Sequence, residues 1–337
     1  MKYSIIALSI LAVSALSVVL YLETKQPCKT PQTEQKHLLL SHATFQSEPI
    51  TPIPDKLNLN SQKVRLGEKL FHDVNLSHNK KLSCATCHNL QKGGADGLAL
   101  SMSAENQKLS FPNLPAFNSP TVFNSTFNFV QGWEGKARTL QQQAAIPLFN
   151  TFEMGNTSWS NILNYLNQSP SYKTLFSQVY GTPTIIGTQI LDALSEFERS
   201  LITPNARFDL YLKGYQQALS AYELDGYQLF KERGCISCHQ GMNIGGSMFQ
   251  KSGIFKPLFG EVPYMSNEKL FKVPSLRNIA LTAPYFHDGS IETLEEAIDL
   301  MAKHQLGITL PQDENNKIQA FLKTLTGKYQ GKLLLNE

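Results

Sequence analysis

A mainly α-helical protein built as two tandem copies of one small domain is the fold class this sequence predicts, and three observations predict it. The motif Cys-x-x-Cys-His occurs twice, at residues 84–88 and 235–239. Residues following each motif recur at a constant spacing. Apolar side chains in both halves fall at the i, i+3, i+4, i+7 positions that give a helix one buried face.

Lys2 precedes an apolar run over residues 5–22, which is 18 residues long (22 − 5 + 1) and sits at the lower limit for spanning a bilayer. Residues 1–24 are therefore expected to be a secretory signal peptide or an N-terminal membrane anchor. No Ala-x-Ala cleavage site follows the run, which tips the reading toward an anchor. Residues 25–55 are polar and rich in Pro, Thr and Gln, as in a tether. Cys28 sits in no lipobox and reads as a free thiol. The formal net charge of +3 is too small for a nucleic-acid-binding surface. A chain of 337 residues is long enough for two domains with cores of their own.

Export makes disulfides the default use of cysteine, yet four of the five cysteines lie in the two motifs. In Cys84-Ala85-Thr86-Cys87-His88 and Cys235-Ile236-Ser237-Cys238-His239 the cysteines are about one helical turn apart. Both can bond one porphyrin edge while the adjacent His meets the iron. A zinc site would use both pairs as four thiolates and has no need of a His after each. Two covalently attached c-type haems are expected, one per half.

Gly67-x-x-Leu70-Phe71 precedes the first motif and Gly226-x-x-Leu229-Phe230 the second. Pro120, Asn124, Gly135, Thr139 and Leu140 return as Pro274, Asn278, Gly289, Thr293 and Leu294, all at an offset of 154 (274 − 120). The cysteines are offset by 151 (235 − 84). Each half ends in an apolar-striped helix, with Ile190, Leu194, Phe197 and Leu201 in the first and Ile318, Phe321, Leu322 and Leu325 in the second. Helix, attachment motif, loops and a final helix describe a cytochrome c-like domain, and self-similarity at fixed offset means duplication. The expected domains are residues 56–203 and 204–330.

The halves differ in chemistry. Thr293-Leu294-Glu295-Glu296 starts a helix with a capping box, and on it Leu294, Ile298 and Met301 share a face. Met301 is then either a core side chain or the thioether ligand of an electron-transfer haem. At the same offset the first half has Pro147, which cannot ligate iron. Gln143, one turn earlier, faces the same way, and Glu153 stands where the second half has Gly307. One haem site reads as six-coordinate and the other as open and lined with polar groups. Trp133 occupies the repeat position of His287 and is either a core side chain or an electron relay.

These residues resemble bacterial di-haem cytochrome c peroxidases over about residues 58–330. The resemblance rests on Leu66-Gly67-x-x-Leu70-Phe71, Leu82-Ser83-Cys84-x-Thr86-Cys87-His88 and Gly93-Gly94-x-Asp96-Gly97. It continues through Asn118-Ser119-Pro120-Thr121-Val122-Phe123-Asn124, Glu153-Met154 and Leu201-Ile202-Thr203-Pro204. It closes with Leu276-Arg277-Asn278, the run from Ala280 to His287, and Met301 before Gln305-Leu306-Gly307. The resemblance implies that His88 is the proximal ligand of the peroxidatic haem, with Gln143 and Glu153 in its distal pocket. It implies that His239 and Met301 ligate the electron-transfer haem and that Trp133 lies between the two. Asn118 and the carbonyls of Thr282 and Pro284 match positions that hold calcium in such enzymes. The implied activity is periplasmic reduction of hydrogen peroxide with electrons from a cytochrome c or cupredoxin, and a homodimer is among the expected assemblies. Many members carry a His after the Gly-x-Asp-Gly segment that caps the peroxidatic iron. Here the stretch from Gly97 to Asn118 has none, although it includes Met102 and Glu105, so the usual reductive activation is in doubt. A related branch that matures tryptophylquinone also lacks that His but has Tyr in place of Met301. Oxidation of a protein substrate and non-enzymatic electron carriage or sensing remain the alternatives.

Overall fold

The computed structural model describes residues 48–101, 117–258 and 270–335, and it is helical with only two short antiparallel hairpins. The first half begins with α1 (Ser61–Phe71), capped by Asn60, whose Oδ1 accepts from the Gln62 and Lys63 amides at 3.0 and 3.1 Å. The attachment motif forms the single turn α2 (Cys84–Cys87). Then come α3 (Leu140–Phe149), α4 (Ser160–Gln168), α5 (Pro170–Tyr180) and α6 (Gly187–Ser200). After α7 (Arg207–Leu212) the pattern repeats with α8 (Ala221–Glu232), a 3-10 turn at Cys235–Ser237, α9 (Leu294–Leu300) and α10 (Gln312–Lys323).

The two recurring glycines explain how each half closes. α1 crosses α6 at Gly67, where a Cβ would come within 2.0 Å of the Ala193 carbonyl oxygen. α8 crosses α10 at Gly226, where a Cβ would meet the Lys317 carbonyl at 1.9 Å. The predicted stripes are buried at these crossings: Ile190, Leu194, Phe197 and Leu201 in one core, Ile318, Phe321, Leu322 and Leu325 in the other.

The cores are not wholly partitioned by sequence. Leu334 belongs to the first core, and Ile50 to the second. The polar stretch expected as a tether over residues 25–55 is thus part of the folded body from Ile50 onward. Ile50 and Ile53 are 1% and 0% exposed, because two apolar side chains spaced by prolines lie on one extended segment. That segment is also held by Arg277, whose Nη2 donates to the Thr51 carbonyl at 3.1 Å while Nη1 pairs with the buried Asp209 carboxylate at 2.6 Å.

The halves meet through matching contacts. The Lys272 amide donates to the Trp133 carbonyl (2.8 Å), and the Asn118 amide to the His287 carbonyl (2.7 Å). These residues are repeat partners (272 − 118 and 287 − 133 are both 154). Asn124 and Asn278 both take the left-handed conformation, at φ 61° and 60°, and both side-chain amides donate to the Thr203 hydroxyl, at 2.7 and 3.0 Å.

The helices α4 and α5, with Tyr165 and Tyr172 both donating to Asp73 at 3.0 and 2.6 Å, are an addition of the first half that the repeat pattern did not reveal. No described helix is long and apolar enough to cross a membrane; the apolar run at residues 5–22 and Cys28 lie outside the described residues, as do Met102 and Glu105.

Candidate active site

Both attachment motifs face a cavity of about 590 Å³ between the halves. Cys84, Cys87 and His88 line it from one side and Cys235, Cys238 and His239 from the other.

Each histidine is oriented by its backbone surroundings. His88 Nδ1–H donates to the Gly94 carbonyl and His239 Nδ1–H to the Ile244 carbonyl, both at 3.3 Å. A carbonyl can only accept, so the bond fixes the tautomer and leaves Nε2 as the free lone pair. Burial lowers both imidazoles, His239 to about 4, which keeps them neutral and able to ligate a metal. Burial also pushes the Cys84 thiol up to about 12 and those of Cys87 and Cys235 to about 11, so none is poised as a thiolate. Among the described residues no three His, Cys, Asp or Glu side chains gather closely enough to hold a metal ion, and the two Cys pairs do not combine. Paired thiols beside a neutral imidazole, twice, around one largely apolar space fit two haems.

Elsewhere in the lining the two repeats bring different residues to the cavity. α9 starts at its Thr293 cap, whose Oγ1 accepts from the Glu296 amide at 3.2 Å. The helix passes into a π-turn at Met301–Leu306. Leu294, Ile298 and Met301 all line the cavity. On α3 the wall is made by Leu140, Gln143, Ala144, Ile146 and Pro147, and the helix continues through Pro147. Glu153 reaches the same wall from the turn after α3; burial raises its carboxyl, against the opposing pull of the Asn150 amide, which donates to Oε1 at 2.8 Å. His72 and His78 are exposed and are not part of the cavity wall.

Trp133 lies where the halves meet. Its Nε1 donates to the Asn118 carbonyl at 2.8 Å, and its ring stands edge-on to His287 with centroids 6.4 Å apart. Asn118 Nδ2 donates to the Pro284 carbonyl at 2.6 Å, and Thr282 lines the same cavity.

Residues 61–217 match the family described as di-haem cytochrome c peroxidase. The cytochrome c551 peroxidase of Nitrosomonas europaea is 42% identical over 290 residues, covering 83% of this chain and 85% of that protein. The chain belongs to the di-haem cytochrome c peroxidase family. The cytochrome c peroxidase Ccp of Escherichia coli K12 is 44% identical over 295 residues, 84% of this chain; the match spans 62% of that longer protein. Among solved structures, a MauG-like protein associated with microbial copper homeostasis superposes with a TM-score of 0.67 at 28% identity, covering 82% of this chain and 93% of that one. Membership in the di-haem peroxidase family implies two haems, and the two motifs are where this chain has places for them.

Two ionisable residues in the cavity wall of this di-haem peroxidase escaped the sequence reading. Glu198, on α6, is 9% exposed, and burial pushes its carboxyl up to about 8. Lys272 is 7% exposed, and burial lowers its ammonium to about 8. The only hint for Glu198 was an acid within an apolar stripe, four residues after Leu194. For Lys272 it was a charge at the repeat position of Asn118.

Proposed function

We propose that this chain is a periplasmic peroxidase with two covalently attached c-type haems. It reduces hydrogen peroxide to two molecules of water, taking up two protons and two electrons, and the electrons come singly from a small redox protein such as a cytochrome c or cupredoxin. The observation that carries the reading is the contrast at one repeat position: Met301 faces the cavity in the second half, and Pro147, with Gln143 and Glu153 beside it, faces it in the first.

When bound, the haems supply the iron that takes up peroxide in the first half and the redox centre that feeds it electrons in the second. His88 and His239, with Nε2 free, would hold the two irons, and Met301 would supply a thioether as a further ligand to the second. Pro147 offers no ligand, so the first site stays accessible. Glu153, its Oε1 held by Asn150, takes the proton of one peroxide oxygen and delivers it to the other, so that the leaving fragment departs as water. Gln143 can orient peroxide through its amide but cannot exchange a proton. Trp133 spans the boundary between the halves, its carbonyl accepting from the Lys272 amide and its ring standing edge-on to His287, and gives electrons an aromatic route across it.

Asn118 with the carbonyls of Thr282 and Pro284 would hold one calcium ion. Oxygen donors from both halves suit that ion. The Asn118 amide must turn over to present Oδ1 where Nδ2 now meets the Pro284 carbonyl. Prolonged chelation should slow electron transfer between the halves while both haems remain attached; unchanged turnover after chelation would remove calcium from the account.

The deciding assay mixes the purified protein with peroxide and reduced cytochrome c. Two cytochromes oxidised per peroxide support the proposal. No turnover would indicate a carrier or sensor. Peroxide consumed together with oxidation of a protein substrate, and without use of the donor, would indicate the tryptophylquinone-maturation type of activity.

A further inference from the structure

Lys272 is the last residue of the strand β2 (Leu270–Lys272), which pairs with β1 (Phe249–Lys251), Lys272 lying opposite Phe249. Its backbone is fixed on both sides. The Lys272 amide donates to the Trp133 carbonyl at 2.8 Å, and the next amide, that of Val273, donates to Met248 at 2.9 Å. The side chain has little freedom to leave, is 7% exposed, and lines the cavity. Among the described residues its ammonium has neither a hydrogen bond nor an ion pair.

An unpaired buried ammonium costs several kcal/mol, and folded proteins rarely retain one. The carboxylates in the same wall do not answer it. Glu153 is held by Asn150, Glu134 is paired with Lys136, and Glu198 has burial as the sole cause of its shift, with no contribution from Lys272. The partner must therefore be anionic and must belong to what the cavity holds. A haem brings two carboxylates of its own, its propionates. The position of Lys272 says which haem: two residues further on, the Pro274 carbonyl is a hydrogen-bond partner of the His239 ring. In the first half the equivalent residue is Asn118, a neutral amide already engaged with the Pro284 carbonyl, so the cation belongs to one half only.

We propose that Lys272 is the counter-ion of a propionate of the haem held by His239, and that it ties this carboxylate to the seam between the halves beside Trp133. This inference rests on the di-haem reading of the cavity. The pairing neutralises a buried negative charge next to the second haem and makes its reduction easier. Removing the cation favours the oxidised form.

The test compares K272M and K272R with the wild-type holoprotein, measuring covalent haem per chain and the midpoint potential of each haem by spectroelectrochemistry. Methionine keeps the length and hydrophobic bulk without the charge, and arginine keeps the charge, so the two variants separate loss of the cation from a change of packing. Wild type and both variants should carry two haems. In K272M the reduction equilibrium of the second haem should shift about tenfold or more toward the oxidised form, the size of one lost charge-assisted hydrogen bond. In K272R it should stay close to wild type, and the first haem should move less in both. An unchanged second potential in K272M, or equal shifts in K272M and K272R, would overturn the counter-ion role. Absence of covalent haem from the wild type would instead overturn the reading on which the inference rests.

Discussion

Glu153 and Glu198 are both carboxyls raised by burial in the same cavity wall, yet they serve different ends. Glu153 is held through one oxygen by Asn150, which leaves the other for proton exchange. Glu153→Gln keeps the shape and loses the proton carrier. The variant should still bind small ligands at the first site but cleave peroxide about 10²–10⁴ times more slowly in stopped-flow mixing; near wild-type cleavage would dismiss Glu153 as the acid–base group. The Glu198 carboxyl makes no hydrogen bond among the described residues, and at about 8 it is largely protonated at neutral pH. Its ordinary value is 4.5, so the folded state holds this proton more tightly than the unfolded chain. The stability it contributes is therefore complete below about pH 4.5 and is lost as pH rises through about 8. Melting temperatures of the holoprotein should fall across that window, and Glu198→Gln should flatten the fall; an equal slope in the variant would contradict this. Neither Glu198 nor Lys272 was legible in the sequence. Glu198 lies between Glu196 and Arg199 on a helix whose other charges face out, and nothing in the spacing marks it as the one that faces in.

At the scale of the elements, the sequence was most readable where backbone geometry demanded a residue type. Gly67 and Gly226 recur because two helix pairs cross too closely for a Cβ, and Asn124 and Asn278 recur at left-handed turns. Thr139 and Thr293 recur as helix caps, accepting from Gln142 and Glu296 at 3.1 and 3.2 Å. What the repeat hid was whatever only one half has. α4 and α5 are absent from the second half, so comparison of the halves could not suggest them. The π-turn after Leu300 was equally invisible, since no sequence pattern distinguishes it from a continued helix. π-turns often mark functional positions, and this one begins at Met301. Met301→Ala should lower the potential of the second haem, because a thioether ligand raises it, and should slow donor-driven turnover while ligand binding at the first site persists. An unchanged spectrum and potential would mean that Met301 only packs.

At the scale of the whole molecule, the two copies of a duplicated fold differ at a few equivalent places that line one cavity. Met301 stands in the repeat for Pro147, Lys272 for Asn118 and His287 for Trp133; Leu322 stands for Glu198 on the final helices, whose offset is 124 (321 − 197) by the two glycine crossings, while the scaffold around them keeps its matching hydrogen bonds. The apolar periodicity showed the two cores. It did not show that Ile50 and Leu334 each pack into the core of the other half, because a terminal segment carries no period to read. On the proposed reading, this asymmetry leaves one iron site open and the other closed in a single oxidised chain. Electron paramagnetic resonance of the fully oxidised, as-isolated protein tests it most directly. The spectrum should show one high-spin and one low-spin ferric signal of equal intensity, with peroxide binding at the high-spin site before any electron is added. Two low-spin signals, with peroxide binding only after partial reduction, would contradict it.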